Sequence, residues 1–349
     1  MNRMNREQFF AKVAQLDEDR LRKALWNVYW RGTANMRERI EAELDPDQPT
    51  RRRGAMSDPV DPHAVLAEVR DFVSLARSGA YLAGDRRVSP KERTRWRFTF
   101  RRLVADARDA LRSEEVDPAA AALEALIDLA CEVRDIDYFR SEDPVEAAKV
   151  VVSDEVVLLW TRVLDHAGFP AFAERTAPQL VRWESRYGWT RTGFGQVAEK
   201  ETSLGRVLAS MLQVRDAWMT FADRYLEALD HLASGAAAKS SRSWRSPERN
   251  RSERTAALAE WNLLLLDRLI DDDTDDRADR LTTHPALGGP ELPYLQAWLA
   301  HRRGDVRRAQ NLIHKCLTQL PGHRDFLAFA AEIDAPLPAR AQQIASDRA

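Results

Sequence analysis

Cysteine is nearly absent from this chain of 349 residues: Cys131 and Cys316 are its only two, each inside an apolar helical pattern. That count excludes a disulfide-stapled scaffold, and neither CxxC nor a Cys/His zinc spacing occurs. Both thiols are expected as small buried hydrophobes. The seven histidines are scattered, with no HExxH and no pair at i and i+4. No Gly-x-Ser-x-Gly elbow occurs either, so nothing local points to a metallohydrolase or a serine hydrolase. Long apolar runs are also missing. The longest, around Val150 and Leu263, fall far short of the roughly 18 to 20 residues a membrane span needs. The opening residues Met1-Asn2-Arg3-Met4-Asn5-Arg6 hold no apolar signal-peptide core, so a cytoplasmic location and no membrane partner are expected. A net charge of only −2 leaves no global field for nucleic acid or membrane; any electrostatic partner must be recruited by a local patch.

What is present is helical periodicity. Apolar residues make up 44% of the chain and charged ones 31%, the mix of helices with one apolar stripe and one solvated face. Near the start, Phe9, Phe10, Val13 and Leu16 form one stripe, and Leu21, Leu25, Val28 and Tyr29 the next. Gly32 is placed to stop that second helix and Thr33 to start a third through Met36, Ile40 and Leu44. Asp61-Pro62, Asp117-Pro118 and Asp143-Pro144 each predict a helix start, an Asp cap followed by a proline whose missing N–H costs nothing there. Glu146 completes a capping-box pattern with Asp143, and Ser89-Pro90-Lys91-Glu92 is a fourth start. No convincing period-2 strand occurs. Residues 150–157 are rich in valine, but Ser153, Asp154 and Glu155 mark a helix start.

The expected fold is all-α: an irregular array of antiparallel helical hairpins, solenoid-like or bundled, with a repeat-like helix pair at the C-terminus. The expected divisions are an N-terminal helical segment over 1–44, a linker over 45–60 and a main helical domain over 61–232. A flexible basic linker over 233–254 and a C-terminal helical domain over 255–349 follow. The second linker is serine- and arginine-rich and carries a local charge of +4.

The clearest motif is AWLAHRRGDVRRAQNLIHKCLTQLPG. Its Gly304-Asp305 turn, Ala309, Cys316-Leu317 and Pro321 fall at the offsets of a tetratricopeptide repeat, which residues 290–323 resemble. Pro293 stands where that pattern has its early tryptophan-like residue. The resemblance covers a tenth of the chain and implies a protein-binding role by analogy. Trp298 and Arg302 are the candidate contact residues on its first helix.

Three further stretches carry candidate chemistry. Residues 182–195, RWESRYGWTRTGFG, pack two tryptophans and three glycines into one connector, which fits neither a P-loop nor a dinucleotide fingerprint. Trp183, Arg186, Trp189 and Arg191 have the chemistry of interface anchors; the tryptophans are equally suited to plug a seam between helices. Residues 85–102 carry a charge of +6, with Arg93, Arg95, Arg97, Arg101 and Arg102 interleaved with aromatics, which suits phosphate and base contact. Trp96, Phe100 and Leu103 share one helical face, so the same arginines also fit a solvated helix back. Finally, Asp271-Asp272-Asp273-Thr274-Asp275-Asp276 contains the DDxxD spacing and resembles the magnesium-diphosphate motif of terpenoid-type all-α enzymes. A second metal motif is missing.

The leading expectation is a non-catalytic helical scaffold or adaptor that binds another protein and uses no cofactor or metal. Nucleic-acid association through residues 86–102 and the basic linker is the alternative. A metal-dependent enzyme using Asp271 to Asp276 ranks third.

Overall fold

The computed structural model describes residues 10, 12–14, 16–31, 60–82, 85–186, 188–239, 246–270 and 276–347. Those residues hold fifteen α-helices, one short 3-10 turn and no strand. The chain divides into two compact units, Met1–Pro59 and Val60–Ala349.

In the first unit, α1 (Glu18–Arg31) covers the expected second stripe, and its Trp26 ring stacks on Tyr29 and Trp30 at 5.6 and 5.7 Å. The third helix expected through Met36, Ile40 and Leu44 lies outside the described residues, as does nearly all of the expected 45–60 linker.

The second unit contains α2 (Pro62–Arg77), α3 (Pro90–Ala110), α4 (Val116–Glu132), α5 (Pro144–Ala148) and α6 (Val152–Trp183). It continues through α7 (Leu204–Met211), α8 (Arg215–Lys239), α9 (Pro247–Ala257), α10 (Ala259–Leu269) and α11 (Arg277–Thr282). The last helices are α12 (Glu291–Arg302), α13 (Val306–Gln319), α14 (Arg324–Glu332) and α15 (Ala339–Ser346).

Local chemistry sets many of these starts. Asp61 accepts the His63 N–H at 2.9 Å, and Ser89 forms a full capping box with Glu92. Asp143 accepts the Glu146 N–H at 3.0 Å, but the Glu146 carboxylate leaves the box to accept the Val197 N–H at 3.0 Å. A distant donor thus displaces the local one. The start expected at Asp117-Pro118 comes two residues early, because Val116 is drawn into the core and Asp117 falls within the first turn. Gly168, at φ 75°, breaks α6 into two helical stretches.

One apolar core runs from Val65 to Leu299. At one end Phe139 is stacked by Trp96 at 4.1 Å and by Phe72 at 6.0 Å. At the other, Trp218 of α8 stacks on Trp261 of α10 at 5.6 Å. That pair crosses the expected 233–254 linker, so 61–232 and 255–299 share a core instead of forming separate ones. The linker itself is helical where described, in the end of α8 and in α9, which Ser246 caps by accepting the Arg249 N–H at 3.2 Å. Its polar composition marks a helix that keeps one side in solvent, with only Thr255 fully buried. A second, smaller core joins α12 to α15, centred on Tyr294, Ile313, Phe326 and Phe329. Among the described residues, no helix is long and apolar enough to cross a membrane.

Candidate functional site: an arginine-lined cleft

The connector after α6 is held from behind by its tryptophans. Trp183 and Trp189 are both buried; Trp183 donates its indole N–H to Asp128 at 2.6 Å, and Trp189 donates to the Trp183 carbonyl at 3.1 Å. This corrects the reading of these two residues as surface anchors. A buried indole needs an acceptor for its single N–H, and α4 and the chain itself supply one each. Glu184, next to Trp183, is buried as well, while Ser185 and Arg186 stay at least partly exposed.

All three line a cleft of about 1110 Å³. One wall is the connector, with Glu184, Ser185, Arg186, Gly188, Thr190 and Arg191. The stretch after α4 adds Arg134, Asp135 and Asp137, α9 adds Asn250, Ser252, Glu253, Arg254, Ala256 and Ala257, and Pro290 and Glu291 also line it. The glycines at the base of the α9 wall are required: Gly289 has φ +76°, and a Cβ there would lie 2.2 Å from the Ser252 hydroxyl.

The arginines of the cleft fall into two groups. Arg182 pairs with Glu124 and Asp128, both at 2.8 Å. Arg191 pairs with Asp137 and donates to the Arg134 carbonyl at 3.1 Å. Arg186 bonds Glu291 at 2.9 Å and reaches the His323 ring, tying the connector to the C-terminal helices. Burial lowers the His323 pKa, and the nearby Arg186 charge lowers it further. Arg134 and Arg254 differ. Arg134 donates only to the carbonyls of Cys131 at 3.1 Å and Gly188 at 3.5 Å, and Arg254 only to that of Ala286 at 2.8 Å. Neither has a carboxylate partner among the described residues, and burial holds Arg254 below its usual pKa.

Two more groups in the wall are incomplete. The Thr190 hydroxyl, on a residue only 3% exposed, has no hydrogen-bond partner among the described residues. Oε2 of the buried Glu291 has none either. Glu184 is satisfied: it accepts the N–H groups of Ser185 at 2.9 Å and Gly205 at 2.7 Å, at the start of α7. Burial nevertheless pushes its pKa up to about 7.

Other expected site residues lie elsewhere. Trp298 is half-buried on α12 with the Arg302 guanidinium over its ring at 5.2 Å, and Arg302 pairs with Asp267 at 2.8 Å. In the basic segment, Arg102 is spent on Glu68 and Asp106, and Arg101 donates to the Ala148 carbonyl at 2.8 Å. Arg93 donates to the Leu82 carbonyl at 3.3 Å, Arg95 is exposed, and Arg97 lies over the exposed Phe98 ring at 4.8 Å. The acidic run 271–275 lies outside the described residues, and Asp276 is exposed just before α11. No group of three or more metal-ligating side chains is gathered among the described residues.

Sequence reasoning located the connector but passed over Arg134, Thr190, Arg254 and Glu291. Arg134 belongs to no motif, Thr190 and Glu291 sit inside the connector and the repeat-like stretch without standing out, and Arg254 lay within an expected linker. Their common signal is a missing partner, which only a fold displays. No family model matches this chain, and no curated protein or solved structure matches it significantly.

Proposed function

We propose that this chain is a non-catalytic helical adaptor whose arginine-lined cleft receives a segment of another polypeptide. The observation that carries this reading is the construction of the cleft. A connector is pinned by two buried tryptophans and lines the cleft together with α9. Side chains locked before binding lose less entropy when a partner docks. The volume of about 1110 Å³ slightly exceeds the range of ordinary small-molecule pockets, and an extended peptide fits such a space.

The C-terminal pair supports the same reading as a repeat-like module. Gly304 turns the chain at φ +83°, Asp305 caps α13 by accepting the Arg308 N–H at 3.0 Å, and Ala309 is fully buried between the helices. Phe326 and Phe329 of α14 pack against Tyr294, so the pair is covered by the next helix.

The test is selection from a displayed peptide library on the intact chain. The selected peptides are then measured against an Ala256→Trp variant, which fills the cleft from the α9 wall. Loss of binding, with an unchanged melting temperature, is the expected result. A library that yields no binder, or binders indifferent to the variant, overturns the reading.

A second reading, nucleic-acid contact through α3, draws on Phe98, which is 52% exposed with Arg97 over its ring and Arg95 exposed nearby. Salt-sensitive binding of single-stranded DNA that is lost in Arg95→Ala/Arg97→Ala/Phe98→Ala would establish it. No binding at low salt would remove it.

A further inference from the structure

We infer that the cleft holds a carboxylate of the bound polypeptide, an acidic side chain taken between Arg134 and Arg254, with Thr190 donating its hydroxyl and Glu291 accepting a peptide N–H. The inference rests on the cleft being a polypeptide site and names the chemistry of its occupant.

The argument is one of unfilled valence. A guanidinium carries five N–H donors, yet Arg134 and Arg254 spend theirs on three backbone carbonyls in total. A half-buried guanidinium is expensive to desolvate and gains most from a carboxylate or phosphate, which its planar fork matches. In the same wall, the Thr190 hydroxyl is nine-tenths buried and unpartnered, and so is Glu291 Oε2. Buried polar atoms are almost always hydrogen-bonded. Here donors and an acceptor are left over on residues that line one cleft. A ligand that satisfies both kinds needs an anionic acceptor and an N–H donor. An acidic residue in a peptide has both.

Charge separates carboxylate from phosphate. The cleft is also lined by Asp135, Asp137, Glu184, Glu253 and Glu291. These acids repel a phosphate dianion, which carries nearly two charges, more strongly than a single carboxylate.

The experiment uses the full chain and fluorescein-labelled, C-terminally amidated hexaglutamate, read by fluorescence anisotropy, with hexaglutamine as the neutral control. Saturable binding of hexaglutamate alone is expected. Arg254→Gln and Arg134→Gln should each weaken it about tenfold or more, in keeping with a lost charge-assisted pair. Because either substitution could loosen the wall, Thr190→Val is the third arm. It removes a hydroxyl that has no internal partner, so it should raise the melting temperature while weakening binding, a combination that a purely structural residue would not produce. Equal binding of both peptides, or binding indifferent to all three variants, overturns the inference. Displacement by inorganic phosphate beyond that by chloride at equal ionic strength also overturns it, in favour of a phosphate site. If neutral peptides from the library occupy the cleft and ignore Arg254→Gln, the carboxylate inference fails while the adaptor reading stands. If Ala256→Trp affects no peptide at all, both fail.

Discussion

Trp189 donates its indole N–H to the backbone carbonyl of Trp183, six residues earlier, and thereby folds the connector over its own first residue. Everything the cleft presents on that wall lies between or beside these two rings. Trp183→Phe keeps an aromatic ring but removes the indole donor, leaving Arg182 as the partner of Asp128, at an expected cost of about 1–3 kcal/mol. Trp189→Ala should cost roughly 3–5 kcal/mol. Urea denaturation measures both. In either variant the amides of 184–191 should exchange faster than those of α4, and unchanged exchange would refute the pinning role.

Arg186 joins the connector to Glu291 and His323. Arg186→Gln leaves the buried Glu291 carboxylate short of its partner, so a loss of roughly 1–3 kcal/mol is expected. Paired with Glu291→Gln the loss should be clearly less than additive, which a double-mutant cycle reads out. His323 adds a pH signature. Its folded pKa lies below the usual 6.5, so protonation favours the unfolded chain. Stability should therefore fall as pH drops below about 6.5, and His323→Gln should flatten that limb.

Glu184 acts in the opposite sense. Burial raises its pKa from 4.5 to about 7, so between those values the folded chain binds more protons than the unfolded one. Stability from this group is greatest below pH 4.5, declines as pH rises towards 7, and is level above it. Taken between pH 4.5 and pH 8, the wild type should lose on the order of 3 kcal/mol relative to Glu184→Gln, at about 1.4 kcal/mol per pKa unit. Parallel pH profiles for the two proteins would show that the carboxylate is better solvated than its 6% exposure implies.

Gly289 is the tightest point behind the α9 wall. Gly289→Ala must adopt φ +76° and push against Ser252, so a loss of at least about 1–2 kcal/mol is expected from backbone strain alone. Because α9 carries Arg254, the same variant should weaken hexaglutamate binding. Gly193→Ala shares the positive φ but meets open space, and it should leave that binding unchanged.

Much of the fold was legible because its signals are local. Asp61, Ser89, Asp143 and Asp305 each bond a backbone N–H two or three residues away, a distance the chain covers whatever else it does. The stripe of Trp96, Phe100, Leu103 and Ala107 identifies the buried face of α3 without any partner in view. The all-α class follows from such features. Residues 246–254 misled because serine and arginine describe an exposed surface equally well whether or not the backbone beneath is helical.

The cleft could not be read in that way. Arg134 meets Gly188 across 54 residues, Arg254 meets Ala286 across 32, and Arg186 meets His323 across 137. The sequence by itself determined that the connector holds two tryptophans among arginines. It did not determine which way they face, because an indole is equally at home in a core and at an interface. Tertiary structure decided that by putting Asp128 within reach of Trp183. It also decided which arginines keep unused donors, since a charge counts as paired or unpaired only once the fold has set its neighbours.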